Sequence, residues 1–155
     1  MSNLDSIDRK ILNALQADSS ISNVELARKV HLSPSPCLAR VRALETQGLI
    51  RSYVALLDPQ QLGLHLNVFI SISLKQQSRK ALQAFEDRIC IREEVMECYL
   101  MTGESDYLIR VAVADMPSLE RFILEQLSPI AQVEKIRSSF ALKQVRYKTA
   151  LPLGV

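Results

Sequence analysis

The chain changes its hydrophobic period once, and that change divides it. Over the first fifty residues apolar side chains recur at helical spacing. Ile7, Ile11, Leu12 and Leu15 form one stripe, with Asp5 placed as an N-terminal cap or first-turn acid. Ser22 followed three residues later by Glu25 is a capping box for a second helix, along which Val24, Ala27 and Val30 repeat at three-residue spacing. A third helix begins at Ser33 as its cap, with Pro34 at the first helical position, where a missing N–H costs nothing, and Pro36 still inside the first turn. Gly48 closes it as the left-handed residue, followed by Leu49 as its hydrophobic contact. On a helical wheel Cys37, Leu38, Val41 and Leu44 face inward, and Ser35, Ala39, Arg42, Ala43 and Thr46 face outward. The stretch LIRSYVALLD alternates roughly and predicts a short strand pair or wing, which Asp58-Pro59 ends.

From Leu64 the period becomes two: apolar residues stand at 64, 66, 68, 70, 72 and 74, and only Phe69 interrupts the polar face. A half-buried strand follows from that alternation. SRKALQAFEDRI carries Leu82, Phe85 and Ile89 at helical spacing, and VMECYLM and DYLIRVAV read as strands joined through TGES. Asp115 or Met116 then starts a helix ahead of Pro117, with Leu119, Phe122, Ile123 and Leu127 as its stripe, and IRSSFALKQVRY reads as a last strand. The order strand, helix, strand, strand, helix, strand predicts a ferredoxin-like βαββαβ domain. The expected fold class is therefore α+β: a winged helix-turn-helix domain over 1–57, a linker over 58–63 punctuated by Pro59 and Gly63, and a ferredoxin-like domain over 64–155.

Composition narrows the function. Apolar residues make up 48%, yet no run approaches the roughly 20 residues of a membrane span. The start MSNLDSIDRK has no signal-peptide core, so a soluble, cytoplasmic protein is expected. The net charge of +2 lies wholly in residues 1–57, where seven Lys and Arg stand against five acids. Between Glu25 and Glu45 there are no acids, while Arg28, Lys29, Arg40 and Arg42 lie there with His31, a patch of the kind that neutralises phosphates. The same patch is also what a solvated helix face looks like.

The outward face of the third helix suits DNA. Ser35, Ala39 and Ala43 are small enough for close approach to a major groove about 12 Å wide. Arg42 can reach a base edge or a phosphate, Ser33 and Ser35 with the helix-start N–H groups can hold a phosphate, and Arg40, at the stripe's edge, suits backbone contact. A winged helix serving as a protein-interaction or dimer module would present the same pattern. Catalysis is not expected. Cys37 faces the core, neither His31 nor His65 has a spacing that pairs with it, and the chain lacks a Gly-rich phosphate loop or a metal-ligand cluster. Cys37, Cys90 and Cys98 are read as reduced, buried thiols. RNA is disfavoured, because DYLIRVAV has no aromatic ladder and the second domain is neutral. In MTGESDYLIR, Gly103 opens the backbone to a carboxylate and Glu104 and Asp106 can hold an ammonium, matching the two ends of an amino acid; a plain hairpin turn with solvated acids gives the same loop.

Five separated segments carry a resemblance: LDSIDRKILNALQAD, ISNVELARKVHLSPSPCLARVRALETQGLI, VALLDPQQLG, TGESDYLIRV and SSFALKQVRYKTALPL. In this order they resemble the Lrp/AsnC (leucine-responsive, feast/famine) transcription regulators, with SPSPCLARVR and the TG-x-x-DY loop as the more specific marks. The resemblance implies an N-terminal domain that binds double-stranded DNA and a C-terminal amino-acid-sensing and oligomerisation domain. It further implies homodimers paired through their sheets, and an octamer of four dimers. It places an amino-acid effector between dimers, lined by Gly103, Glu104, Asp106 and Tyr107, with Met116, Ser139, Phe140 and Ala141 influencing the response. Ser105 stands where many members carry Tyr or Phe, so the rim here is more polar. The apolar surface of Met116, Phe140 and Ala141 points to leucine or methionine.

Overall fold

The computed structural model describes residues 4–153 and divides the chain into two compact units. The first runs to Leu56 and regains the chain from Val145 onward; the second is Leu57–Gln144.

The first unit is built from α1 (Ser6–Ala17), α2 (Asn23–Lys29) and α3 (Pro34–Thr46). Asp5 caps α1, accepting from the N–H of Ile7 and Asp8, while the Asp8 carboxylate accepts from the N–H of Asp5. Ser22 and Glu25 form the expected reciprocal box on α2. Ser33 caps α3 by position only: its side chain makes no cap bond, and the N–H it would usually meet at the third helical position is missing at Pro36. Gly48 has φ +73, and the Leu49 N–H returns to the Leu44 carbonyl at 3.0 Å, so the helix ends as expected. The core gathers Ile11, Leu12, Leu26, Ala27, Val30, Cys37, Val41 and Leu44. Two inward assignments are corrected. Val24 is 64% exposed because Leu26 takes the inner position, and Leu38 lies at the rim rather than within the core.

Residues 51–57 form no strand, so the strand pair expected there is absent among the described residues. Alternation needs a partner ladder to become a strand, and these residues have none in their own chain. Nor does the last strand reach Tyr147. The final residues instead run along α1, where the Gln16 side chain accepts from the Leu151 N–H at 2.6 Å and donates to its carbonyl at 3.2 Å. Arg9 donates to the Leu153 carbonyl, and Leu153 packs onto the first core.

The second unit holds β1 (Leu66–Leu74), α4 (Arg79–Ile89), β2 (Val95–Leu100), β3 (Tyr107–Val113), α5 (Met116–Arg121) continuing as a π-helical segment (Phe122–Leu127), and β4 (Val133–Phe140). The strands form one antiparallel sheet in the order β2-β3-β1-β4, which is the ferredoxin-like arrangement. Val68, Ile70, Ile72 and Leu74 project to the helical side and meet Phe85, Ile89, Leu119, Phe122 and Leu127. Asp58, Pro59 and Gln60 make a closed turn, in which the Leu64 N–H bonds the Pro59 carbonyl at 2.8 Å, so the stretch read as linker belongs to this unit.

Phe85 is fully buried, with its ring 4.6 Å from that of Tyr107. Phe85→Ala is expected to cost about 3–5 kcal/mol, read as a fall in unfolding free energy by urea titration.

Candidate nucleic-acid and effector interfaces

The geometry of α2 and α3 is fixed by a short turn and one side chain. His31 adopts φ 59 at the turn, a left-handed conformation uncommon outside glycine, and the Asn23 amide donates to the Pro34 carbonyl at 2.8 Å. Sequence reasoning passed over Asn23; a polar residue at the first position of α2, opposite a proline-led helix, is the signal that was available.

On α3, Ser35, Ala39, Arg42, Ala43 and Thr46 are all exposed, as the wheel placed them, and Arg28 and Lys29 are exposed at the end of α2. Ser33 is exposed as well, its hydroxyl uncommitted. The Thr46 hydroxyl donates to the Arg42 carbonyl at 2.8 Å. The helix start offers less to an anion than expected: Pro34 and Pro36 have no N–H, and the Cys37 N–H returns to the Ser33 carbonyl at 3.2 Å. The N–H of Ser35 is what remains in that turn.

Arg40 departs from its expected role. One guanidinium nitrogen donates to Asp5 at 2.6 Å and to Asp8 at 2.7 Å, binding α3 to the start of α1. The Asp8 N–H, and then the Arg40 guanidinium, hold the Asp5 carboxyl below its ordinary value of 3.8. A cation already facing two carboxylates has little left for a phosphate, so Arg40 acts as a clamp within the unit. Cys37 is fully buried and burial raises its thiol pKa, which fits a core residue rather than a nucleophile. Cys90 is exposed, against expectation, while burial pushes half-buried Cys98 up to about 12.

In the second unit the TGES hairpin is anchored from inside. Asp106 is 9% exposed; its carboxylate accepts from the Leu74 N–H and from the Gln77 amide, both at 2.7 Å, and its own N–H bonds the Ile72 carbonyl at 2.9 Å. Gly103 takes φ +128, which favours glycine, and Glu104 is solvent-facing with Arg137 at 3.8 Å. Tyr107 does not line a surface: it is 1% exposed and its hydroxyl donates to Glu86 at 2.7 Å, because the first residue of β3 points to the helical side. Burial, then Glu86, raise its pKa well above the usual phenol value.

The other expected effector residues stand apart from this loop. Tyr107 pairs with Ile72, whereas Phe140 pairs with Val68, Ser139 with Phe69, and Ala141 donates to Asn67. Met116 follows the far end of β3, roughly 20 Å along the strand from the loop. Within one chain the loop does not meet Met116 or Ala141. Among the described residues no group of three or more His, Cys, Asp or Glu could hold a metal ion, and no helix is long and apolar enough to cross a membrane.

A helix-turn-helix unit joined to a separate sheet-and-helix unit is the architecture of a two-domain DNA-binding regulator. Residues 4–51 match the winged helix-turn-helix DNA-binding family and residues 67–151 the Lrp/AsnC ligand binding domain. The chain belongs to the Lrp/AsnC family of transcription regulators. It is 44% identical over 153 residues to the Bkd operon transcriptional regulator of Pseudomonas aeruginosa, covering 99% of this chain and 100% of that protein. It is 42% identical over 148 residues to the leucine-responsive regulatory protein of Escherichia coli K12, covering 96% and 90% respectively. A Neisseria meningitidis transcriptional regulator solved in complex with L-methionine superposes with a TM-score of 0.93 at 40% identity, over 97% of each chain. The protein is thus a DNA-binding transcriptional regulator with a ligand-binding domain, and its relatives are regulators rather than enzymes.

Arg40→Ala is expected to leave specific DNA affinity nearly unchanged and to lower stability. The Asp5 contribution is present above the ordinary carboxylate value of 3.8 and is lost as pH falls below it, so Asp5→Asn should flatten the acid limb of urea midpoints measured between pH 5 and pH 2. Asp106→Ala strands the Leu74 N–H and the Gln77 amide, and is expected to cost about 1–3 kcal/mol in addition to any loss of ligand response. Thermal unfolding of the variant checks the first effect and calorimetry with an amino acid checks the second.

Proposed function

We propose that the protein binds double-stranded DNA as a homo-oligomer in the cytoplasm, and that leucine or methionine bound between dimers changes its DNA affinity or its assembly. The observation that carries this reading is the separation within one chain of the Gly103-Glu104 loop from Met116, Phe140 and Ala141. A site using both groups needs them from different subunits. Asp106 supports the loop from below, and Tyr107 does so from the core.

Assembly by sheet pairing is supported by the open face of the sheet, where Arg110 pairs with Glu97 at 2.7 Å and reaches Asn67 at 3.5 Å, and Tyr99 donates to Glu97 at 2.9 Å. Exposed apolar residues are also numerous, among them Val54, Leu57, Leu62, Leu142 and Val145 at 59% or more. A second copy would cover such surface, and four dimers closing a ring is the assembly we propose. An apolar effector is supported by Met116 and Phe140, and by the methionine held by the similar Neisseria regulator. Ser33, Ser35, Ala39, Arg42, Ala43 and Thr46, flanked by Arg28 and Lys29, form the proposed DNA face. Coupling between the two ligands is reciprocal: an amino acid shifts DNA binding only by favouring one assembly state over another.

Gel-shift titration against the DNA upstream of the protein's own gene, over a salt series with and without leucine and methionine, tests the reading. Tight binding with a steep salt slope that either amino acid alters is the expected result. Arg42→Ala should weaken specific binding by about 1–3 kcal/mol at fixed salt. Binding no tighter than to random DNA, by an oligomer that still takes up an amino acid, would instead identify a sensor acting through protein contacts.

A further inference from the structure

The end of α4 and the strand β2 bring two cysteines to one seam of the second unit. Cys98 lies opposite Ile109 in the β2–β3 ladder, and Ile109 is fully buried, so the Cys98 side chain points to the helical side and packs on the core there. Tyr107, two residues before Ile109 on the same face, donates to Glu86 on α4. Cys90 stands one turn beyond Glu86, with its N–H on the Glu86 carbonyl at 3.0 Å, and directly follows Ile89, which is fully buried in the same core. The close of α4 therefore lies over the stretch of sheet that holds Cys98.

The two thiols meet at that seam. Burial, and then the Cys90 thiol acting by charge and by hydrogen bond, push the Cys98 thiol up to about 12, with Glu86 adding to them. Cys37, fully buried in the first unit, is raised by burial alone.

Their exposures differ in the way an oxidation site requires. Cys90 is exposed and open to a small solute, whereas Cys98 is half-buried behind it. A sulfenic acid formed at an accessible cysteine condenses with a thiol at its side, and disulfides in reducing compartments are chiefly transient and redox-sensing. Cys90 also lies in the turn after the last residue of α4, where a small approach of the two sulfurs leaves the helix intact.

We propose that Cys90 and Cys98 form a redox pair that hydrogen peroxide closes to an intrachain disulfide. The Cys90 sulfur attacks one peroxide oxygen, the O–O bond breaks, and Cys90 becomes a sulfenic acid as the first water leaves. The Cys98 sulfur then attacks the Cys90 sulfur, the S–O bond breaks, and the hydroxyl departs with the Cys98 proton as the second water. The two thiols together lose two electrons and two protons, and the peroxide is reduced to water. A thiol reductant reopens the bond by exchange. Because β2 is the outer strand, bonded only to β3, the bridge fastens a free edge of the sheet to α4 just before the TGES hairpin.

Peptide mapping of the full-length chain after treatment with hydrogen peroxide tests this. Trypsin cuts after Arg88, Arg92 and Arg110, so the bridge joins peptide 89–92 to peptide 93–110 until dithiothreitol releases them. The wild type should yield that pair, two hydrogens lighter than the separate peptides, and should run as a monomer in non-reducing denaturing electrophoresis. Cys37 should stay reduced and be alkylated only after unfolding. Cys90→Ser should abolish the pair and leave Cys98 reduced; it alters an exposed side chain, so the loss is not one of folding. Cys98→Ser should leave the sulfenic acid at Cys90 without a partner thiol, read as a dimedone adduct on peptide 89–92 that the wild type does not accumulate. No linked pair in the folded wild type, cysteines joined between chains instead of within one, or equal dimedone adducts in the wild type and Cys98→Ser would overturn the proposal.

Discussion

Strand β1 is hydrogen-bonded along both edges, to β3 on one side and β4 on the other, and the register of the second unit follows from it. Its alternation is strict where it matters: Val68, Ile70 and Ile72 are fully buried and Leu74 nearly so. A slip of one residue would turn all four to solvent, so the pairing of Ile72 with Tyr107 and with Ile136 is fixed by burial rather than by the hydrogen bonds alone. That register carries Asp106 to the backbone of Leu74. The Gly103-Glu104 loop is therefore held by its base, while its tip stays at the surface with Glu104 facing Arg137.

In the first unit the organising principle is the sorting of cations. Four basic residues lie in one acid-free stretch, yet the fold gives them different roles. Arg40 is drawn to Asp5 and Asp8, while Arg28, Lys29 and Arg42 remain exposed with no ion pair among the described residues. The clamp takes one positive charge from the surface and uses it to hold α3 against the start of α1. Asn23 and the final residues on Gln16 add further ties, so α3 presents its small outer residues on a braced support.

The two ends of β3 are built differently: Asp106 fixes the hairpin end on the backbone of Leu74, and the far end leads through Asp115 into α5 and the π-helical segment. Tyr107 is buried at the start of β3, with its ring against Phe85 and its hydroxyl on Glu86.

The sequence by itself determined the elements and their order, because periodicity, capping boxes and the proline and glycine punctuation are local signals. It also determined the outward face of α3, since a helix wheel needs no partner. Only the tertiary structure decided which charges are available. Arg40 and Asp8 are thirty-two positions apart, Gln77 and Asp106 twenty-nine, and Gln16 and Leu151 one hundred and thirty-five, and nothing in the local pattern marks such pairs. The strand expected over 51–57 is absent for the converse reason: alternation describes a strand only when another chain segment lies beside it.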